Sequence, residues 1–488
     1  MLAAFMRCLL IGLAILFGGG ARSADENDSI SHSQAQAGWA EVEITPPLGI
    51  GLGGRGGPDT LASKVLDSLF AQVTYLRDAK GTGFVLISFD LVGLPHDLSD
   101  RLRTDVVHEL GVDWNLVVLN ASHTHSGPYM IRSLMAGVGP APQIEQDYFK
   151  FLEAQVIAAT RAAAKVLQPV KVETFSANSM VGINRRGKNK LGHRGIIPDP
   201  VGPIDDKVWV LKLTPDHGKA PAVIFSYACH PVIVYGYAFS AISADFPGVA
   251  RKTIKEGLGP GTHAQFVQGF AGNIRPRITA DLENNRFRAP KPDDLQQAGK
   301  ELGDQVMAAM KRSGQILKLD LAGSSGRPFL PRGEPPPRAY YEKLQTNAAA
   351  TTNKFLAAVS DYWLERYDSK IGFARGDVWS VGLIRLAEDQ WIVHSAGEPC
   401  VEWRPKMTEW LAPRKIVTWG YSQEAKSYLP TESLLPEGGY EVLESNQARA
   451  STPAPYAPGI ENAIHESLLG QLAFINAMDA KPQPQPPR

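Results

Sequence analysis

A chain of 488 residues with 50 basic and 50 acidic side chains carries no net charge and no basic block, which argues against nucleic acid as a partner. Its length is enough for a large buried core, built as two or three domains or as one large α/β unit. Three cysteines do not make a disulfide framework.

The first residues read as a secretory signal peptide over 1–24. Arg7 gives the positive start, Cys8 to Phe17 the apolar core, and Gly18 to Ala24 the small residues for cleavage after Ala24. The apolar run is too short for a membrane span, so the expected location is secreted or periplasmic. Cleavage removes Arg7 and Arg22, and 50 − 2 leaves 48 basic against 50 acidic residues. Gly49 to Gly57 is glycine-rich, but no strand–loop–helix pattern with a phosphate-loop lysine surrounds it. A glycine-rich surface loop near the active site is expected there.

Apolar runs predict strands at Phe84–Phe89, Leu116–Leu119, Val208–Leu213, Ala222–Ser226 and Trp391–His394. Helices are predicted over Gln146–Val166, Leu295–Arg312, Ala339–Glu365 and Ile460–Ala477. In the last of these, Ile464, Leu468, Leu472 and Ile475 recur at helical spacing. Strands interleaved with helices indicate an α/β architecture. Pro328 to Pro337 is proline-rich and reads as an excursion or a lid. Residues 479–488 form a Pro- and Gln-rich tail that is expected to be disordered.

Several of the strand-like runs end in polar clusters. Phe84–Phe89 leads to Asp90, Leu116–Leu119 to His123 and His125, and Ala222–Ser226 to His230. Phe266 leads to Phe270–Pro276, and Trp391–His394 to Glu398. On an extended backbone His123 and His125 would share a face. Neutral imidazole is the commonest metal ligand, although a His-x-His pair alone is equally consistent with a structural or solvent-facing pair. Open α/β sheets bind ligands outside the carboxyl ends of their strands. If these ends converge, two histidines and a carboxylate form a catalytic zinc set with positions left open. Cys229 and Cys400 adjoin His230 and Glu398, but neighbouring residues on a strand point apart, so neither thiol is expected to ligate. A disulfide between them stays open.

The order of these pieces resembles the catalytic domain of the neutral (non-lysosomal) ceramidase family. His123-Thr124-His125-Ser126-Gly127-Pro128 is similar to its most specific motif, Asn184-Arg185 to its Asn-Arg element, and Ala228-Cys229-His230-Pro231 to its second histidine motif. Gln268 to Pro276, Gly397-Glu398, and Ser422 to Glu432 with Gly438-Gly439-Tyr440-Glu441 resemble its remaining elements.

The resemblance runs from about Gly38 to Met478. It implies a zinc hydrolase domain over 38–478, with mixed sheets flanked by helices. It implies Zn2+ held by His123, His230, Glu398 and Tyr428, with His125 moving the proton and Arg185 or Tyr440 stabilising the oxyanion. The implied reaction is attack of zinc-activated water on the amide of N-acyl-sphingosine or a related N-acyl lipid, with transient contact to a membrane surface. Asp245 falls near a family Ser-Asp element and would orient a histidine.

Two departures bear on the substrate. The family places a serine proposed to act in catalysis where this chain has Arg275, and an aspartate where it has Asn273. Arginine cannot be a hydroxyl nucleophile, so Arg275 and Asn273 become candidate substrate-binding residues. Arg275 suits a carboxylate or phosphate, unless a carboxylate such as Asp245 pairs it. No counterpart of the family's C-terminal β-sandwich domain is expected after Ile460–Ala477. A small polar or anionic amide or ester therefore stays open as the substrate, as does a non-catalytic binding or envelope protein of the same fold.

Overall fold

The computed structural model describes residues 34–369 and 371–480; the expected signal peptide and the tail from Lys481 lie outside them. The main sheet includes strands that are apolar on both faces. In Gly83–Phe89, Phe84 and Leu86 enter one core while Val85, Ile87 and Phe89 enter another, as a two-residue repeat requires.

Eight strands form its path: β1 (Gln36–Glu43), β2 (Phe70–Arg77), β3 (Gly83–Phe89), β4 (Val117–Ala121), β5 (Gln168–Asn178), β6 (Lys207–Pro215), β7 (Ala222–Tyr227) and β8 (His263–Gln268). Their spatial order is β8-β7-β6-β5-β1-β2-β3-β4, and the short strand Gln315–Ile316 pairs with β5. The outermost pair at each end, β3–β4 and β7–β8, is parallel, and every other pairing along the path is antiparallel.

Parallel neighbours need a crossover. Helix α1 (His96–Leu110) joins β3 to β4, and in the other half a helix from Asp245 to Leu258 joins β7 to β8. Helix α2 (Gln143–Lys165) packs beside α1; α3 (Asp245–Leu258) is partnered by α4 (Pro292–Met310).

A seam of buried amides draws the two outer edges of the sheet together. Asn120 Oδ1 accepts from the Gln268 N–H at 2.8 Å, and Asn120 Nδ2 donates to the Gly420 carbonyl at 2.7 Å. Gln265 Nε2 donates to Ser88 Oγ at 3.0 Å and to the Gln72 carbonyl at 3.1 Å. A buried polar network persists when its members are satisfied. This one sets the carboxyl ends of both parallel pairs side by side.

The inner face of the sheet meets a second sheet, β9 (Ala322–Gly326), β10 (Val381–Arg385), β11 (Gln390–Ser395) and β12 (Lys415–Trp419), in that order.

The helix predicted over Ala339–Glu365 is two helices, α5 (Arg338–Ala350) and α6 (Lys354–Asp368). The break has a local cause. Thr352 takes a left-handed φ of 56°, and the Asn353 side chain caps α6 by accepting from the Leu356 N–H. The proline-rich stretch before this hairpin is tied down, since Phe329–Pro331 pairs with Gly376–Val378. Helix α7 (Trp403–Trp410) precedes β12, and the last helix, α8, runs from Ile460 to Asp479. The tail expected from 479 thus begins too early, because the Asp479 carboxylate accepts from Arg385 at 2.9 Å. No helix among the described residues is long and apolar enough to cross a membrane.

Two buried histidines outside the metal centre make the fold acid-sensitive. His394 on β11 lies opposite Gly382, where a side chain would collide with the ring, and neither ring nitrogen has a partner. Burial holds its pKa at about 3 and that of His263 at about 4. An unfolded histidine titrates near 6.5. Between that value and about 4 the unfolded chain binds the extra protons, so stability falls as pH drops through this window. Each histidine should contribute up to about 1.4 kcal/mol per pH unit. Urea unfolding between neutral pH and the acid edge checks this. His394→Leu should give a shallower slope, and an equal slope in both proteins contradicts the role of His394.

Candidate metal centre

The chain leaves β4 at Ala121 and turns at once. The His123 N–H donates to the Leu91 carbonyl at 2.9 Å, and His123 takes a left-handed φ of 67°. The two histidines of the motif thus lie in a turn rather than on an extended strand. They still converge, with ring centroids 4.8 Å apart and Nε2 atoms 3.1 Å apart.

Backbone carbonyls set the tautomers of the outer two rings. His123 Nδ1 lies 2.6 Å from the Val92 carbonyl, and His230 Nδ1 lies 2.7 Å from the Ala271 carbonyl. A carbonyl only accepts, so each Nδ1 carries the proton and each Nε2 keeps a lone pair. Both Nε2 atoms face one carboxylate oxygen: Glu398 Oε2 is 3.3 Å from His123 and 3.2 Å from His230. Glu398 comes from the short strand Glu398–Pro399, which pairs in parallel with Tyr428–Leu429 and sets Tyr428 directly beside it. The Tyr428 hydroxyl is 3.5 Å from His230 Nε2.

Burial, with His123 next to it, holds the pKa of His125 well below its usual value. Burial and the nearby Arg185 bring that of His230 to about 3. Burial works against ionisation of Glu398, but the adjoining His123 and His230 outweigh it and keep the carboxyl well below the ordinary range. Burial, then the Glu398 charge, pushes the Tyr428 phenol well up.

The ligand atoms of His123, His125 and His230 all lie within 4.8 Å of one another, so this group could hold a metal ion. The donors suit one. Each outer imidazole presents an acceptor nitrogen and has its other nitrogen tied by a hydrogen bond, as ligating histidines do. An imidazole and carboxylate set of this kind fits a first-row divalent ion such as Zn2+. His125, expected as the proton carrier, stands as near to the group as the expected ligands.

The remaining expected residues divide into those near this group and those engaged elsewhere. Arg185 Nε donates to Glu441 at 2.8 Å, and its guanidinium lies 5.3 Å from the Tyr428 ring and 5.6 Å from the Tyr440 ring. One terminal nitrogen of Arg185 has no partner. Tyr440 meets Tyr428 edge to face at 5.5 Å.

Asn273, expected to touch substrate, is taken up by the fold. Its Oδ1 accepts from the Val401 N–H at 2.9 Å, and its Nδ2 donates to both oxygens of Glu402. Asp245 neither orients a histidine nor pairs with Arg275. Its Oδ2 accepts from the Ile233 and Val234 N–H groups at 2.9 and 2.8 Å and fixes the chain after His230. Asp90 is bound by both terminal nitrogens of Arg251 at 2.6 Å.

Three neighbours of the group went unread in the sequence. The Tyr421 ring is 4.4 Å from that of His123, and its buried hydroxyl has no partner. The Tyr235 ring is 5.8 Å from that of His125. Arg55, from the glycine-rich loop, donates to Ser126 Oγ at 3.2 Å. That loop does lie at the site. A Cβ on Gly54, whose φ is 74°, would stand 2.4 Å from the His125 ring, so only glycine fits.

Cys229 and Cys400 are free and fully buried, and burial raises both thiols well above their usual range. Such thiols are not thiolate ligands. Replacing both by serine should leave metal binding by the histidine group unchanged; loss of metal binding from a folded double variant contradicts this.

No protein-family model matches the chain. Among solved structures it is similar to a neutral ceramidase from Pseudomonas aeruginosa, with a TM-score of 0.69 and 17% identity over 93% of this chain and 76% of that one. It is equally similar to a ceramidase complexed with C2, with a TM-score of 0.69 and 15% identity over 93% of this chain and 77% of that one.

Proposed function

From a chain with the neutral ceramidase fold, we propose an exported, zinc-dependent hydrolase that cleaves the amide bond of an N-acyl lipid, ceramide or a relative of it. One observation carries the reading: Glu398 Oε2 lies 3.3 Å from His123 Nε2 and 3.2 Å from His230 Nε2. The names of the structural neighbours supply the substrate class. Zinc held by His123, His230, Glu398 and Tyr428 would bring the pKa of a water to near 7 and polarise a carbonyl.

The chain's own groups supply the rest. His125 is neutral and 3.1 Å from His123 Nε2, placed to take the proton of the attacking water and give it to the leaving amine. Arg185, stacked beside Tyr428 with a free N–H edge, and the Tyr440 hydroxyl stabilise the oxyanion. With Arg275 at the family's serine position, water attacks directly and no acyl-serine forms there.

The test is release of fatty acid from N-dodecanoylsphingosine and simpler N-acyl amides by the purified protein. Chelation should abolish release and added zinc should restore it. A zinc-loaded, folded protein that releases no acid from any N-acyl amide contradicts the proposal.

A further inference from the structure

Buried guanidinium groups in this fold generally face a carboxylate. Arg251 faces Asp90, Arg186 faces Glu441 and Arg332 faces Asp377. Arg103, which has none, lies over the Trp114 ring and donates to that residue's carbonyl. Two groups beside the histidines break this pattern.

Arg275 Nε is buried without a partner, and its guanidinium lies 4.7 Å over the Phe287 ring. Arg55 has its Nε and Nη1 buried without partners, and lies 4.7 Å over Phe239 and 5.4 Å over Tyr235. Neither forms an ion pair among the described residues. A guanidinium lying over an aromatic ring without an ion-pair partner keeps N–H groups for a ligand.

Both groups lie beside the histidines. The Tyr235 ring lies 5.4 Å from the Arg55 guanidinium and 5.8 Å from the His125 ring, and Arg185, Tyr235 and Tyr428 are near enough to Arg275 to act on its charge. Arg275 follows Ile274, whose carbonyl accepts the His230 N–H at 3.1 Å. Among the described residues no acid pairs with this wall. Asp245, whose charge reaches Arg55, is tied to the Ile233, Val234 and Phe246 N–H groups. Glu441 is shared between Arg185 and Arg186, and Glu398 faces the histidines. Burial disfavours the charge on Arg55 and Arg275 and draws each pKa down to about 10. Unpaired buried cations are costly, and an oxyanion arriving with a ligand supplies the missing partner.

We propose that Arg55 and Arg275 read an oxyanion on the substrate, so that the preferred substrate is an N-acyl amide whose amine side carries a carboxylate or a phosphate. This rests on the hydrolase reading above and narrows its substrate class. Arginine binds either oxyanion through paired N–H bonds.

The experiment compares N-dodecanoylglycine and N-dodecanoylphosphoethanolamine with the neutral N-dodecanoylglycinamide. The wild-type protein should favour the anionic substrates, and which of the two it favours more identifies the oxyanion. Losing one charged hydrogen bond should cut the anionic-to-neutral ratio of kcat/KM by roughly ten- to a hundredfold in Arg275→Gln and in Arg55→Gln. Arg275→Lys should recover part of the loss. Equal losses on anionic and neutral substrates overturn the inference.

If the zinc-loaded protein cleaves none of them, the hydrolase reading fails and calorimetric binding of the same compounds decides this inference separately. Tighter binding of the anions, lost in Arg275→Gln, sustains it; equal binding of all three overturns it.

Discussion

Replacing Glu398 by glutamine should lower kcat/KM for N-acyl amide hydrolysis by roughly a thousandfold or more, because several kcal/mol of charge stabilisation leave with the metal. The shape of the side chain is kept, but its charge is lost. Glu398 Oε2 is the carboxylate oxygen that faces both Nε2 atoms, and although burial opposes its ionisation, contact with His123 and His230 holds its pKa well below the usual range. A neutral amide offers no negative counterpart to a divalent ion and can turn an N–H2 group toward the imidazoles. Zinc content per chain should fall along with activity. Steady-state rates and elemental analysis on the same preparation check both. A variant that keeps full metal and full activity removes Glu398 from the centre.

Glu441→Gln should destabilise the fold by about 3–5 kcal/mol, the usual cost of breaking a buried ion pair from one side. Its two oxygens accept from Arg185 and Arg186 at 2.8 Å each, and Glu441, Arg185 and Arg186 are 1%, 4% and 3% exposed. Removing that charge leaves Arg185 without its carboxylate and Arg186 with only the Glu437 carboxylate at 3.2 Å. The effect should show as a lower urea midpoint with an unchanged slope. Activity should fall as well, since the Arg185 guanidinium is braced by Glu441 against Tyr428 and Tyr440. A loss of stability below about 1 kcal/mol, the level of an exposed pair, contradicts the buried triad.

The parts of the fold legible in the sequence were those with strong local signals. Runs such as Phe84–Phe89 and Ala222–Ser226 are apolar on both faces and became β3 and β7. β1 was illegible because Gln36–Glu43 has no apolar run; it exists through its register with β2, a non-local pairing. Pro247 and Gly248 conceal α3, although proline is tolerated in a first turn.

The candidate site divides in the same way. His123, His230, Glu398 and Tyr428 were readable as motif positions, and the folded chain brings them together. The partners of Asn273, Val401 and Glu402, lie 128 and 129 residues away, beyond the reach of any local motif. Tyr421, Tyr235 and Arg55 carry no motif, and only the closure of the sheet and the turn at Gly54 set them beside the histidines.

The most direct measurement is an anomalous difference map, recorded at the zinc edge from crystals of the purified protein. The expected result is a peak bounded by His123 Nε2, His230 Nε2 and the Glu398 carboxylate. A well-ordered map from zinc-loaded protein with no peak there, or with its peak at another site, contradicts the metal centre and the hydrolase built on it.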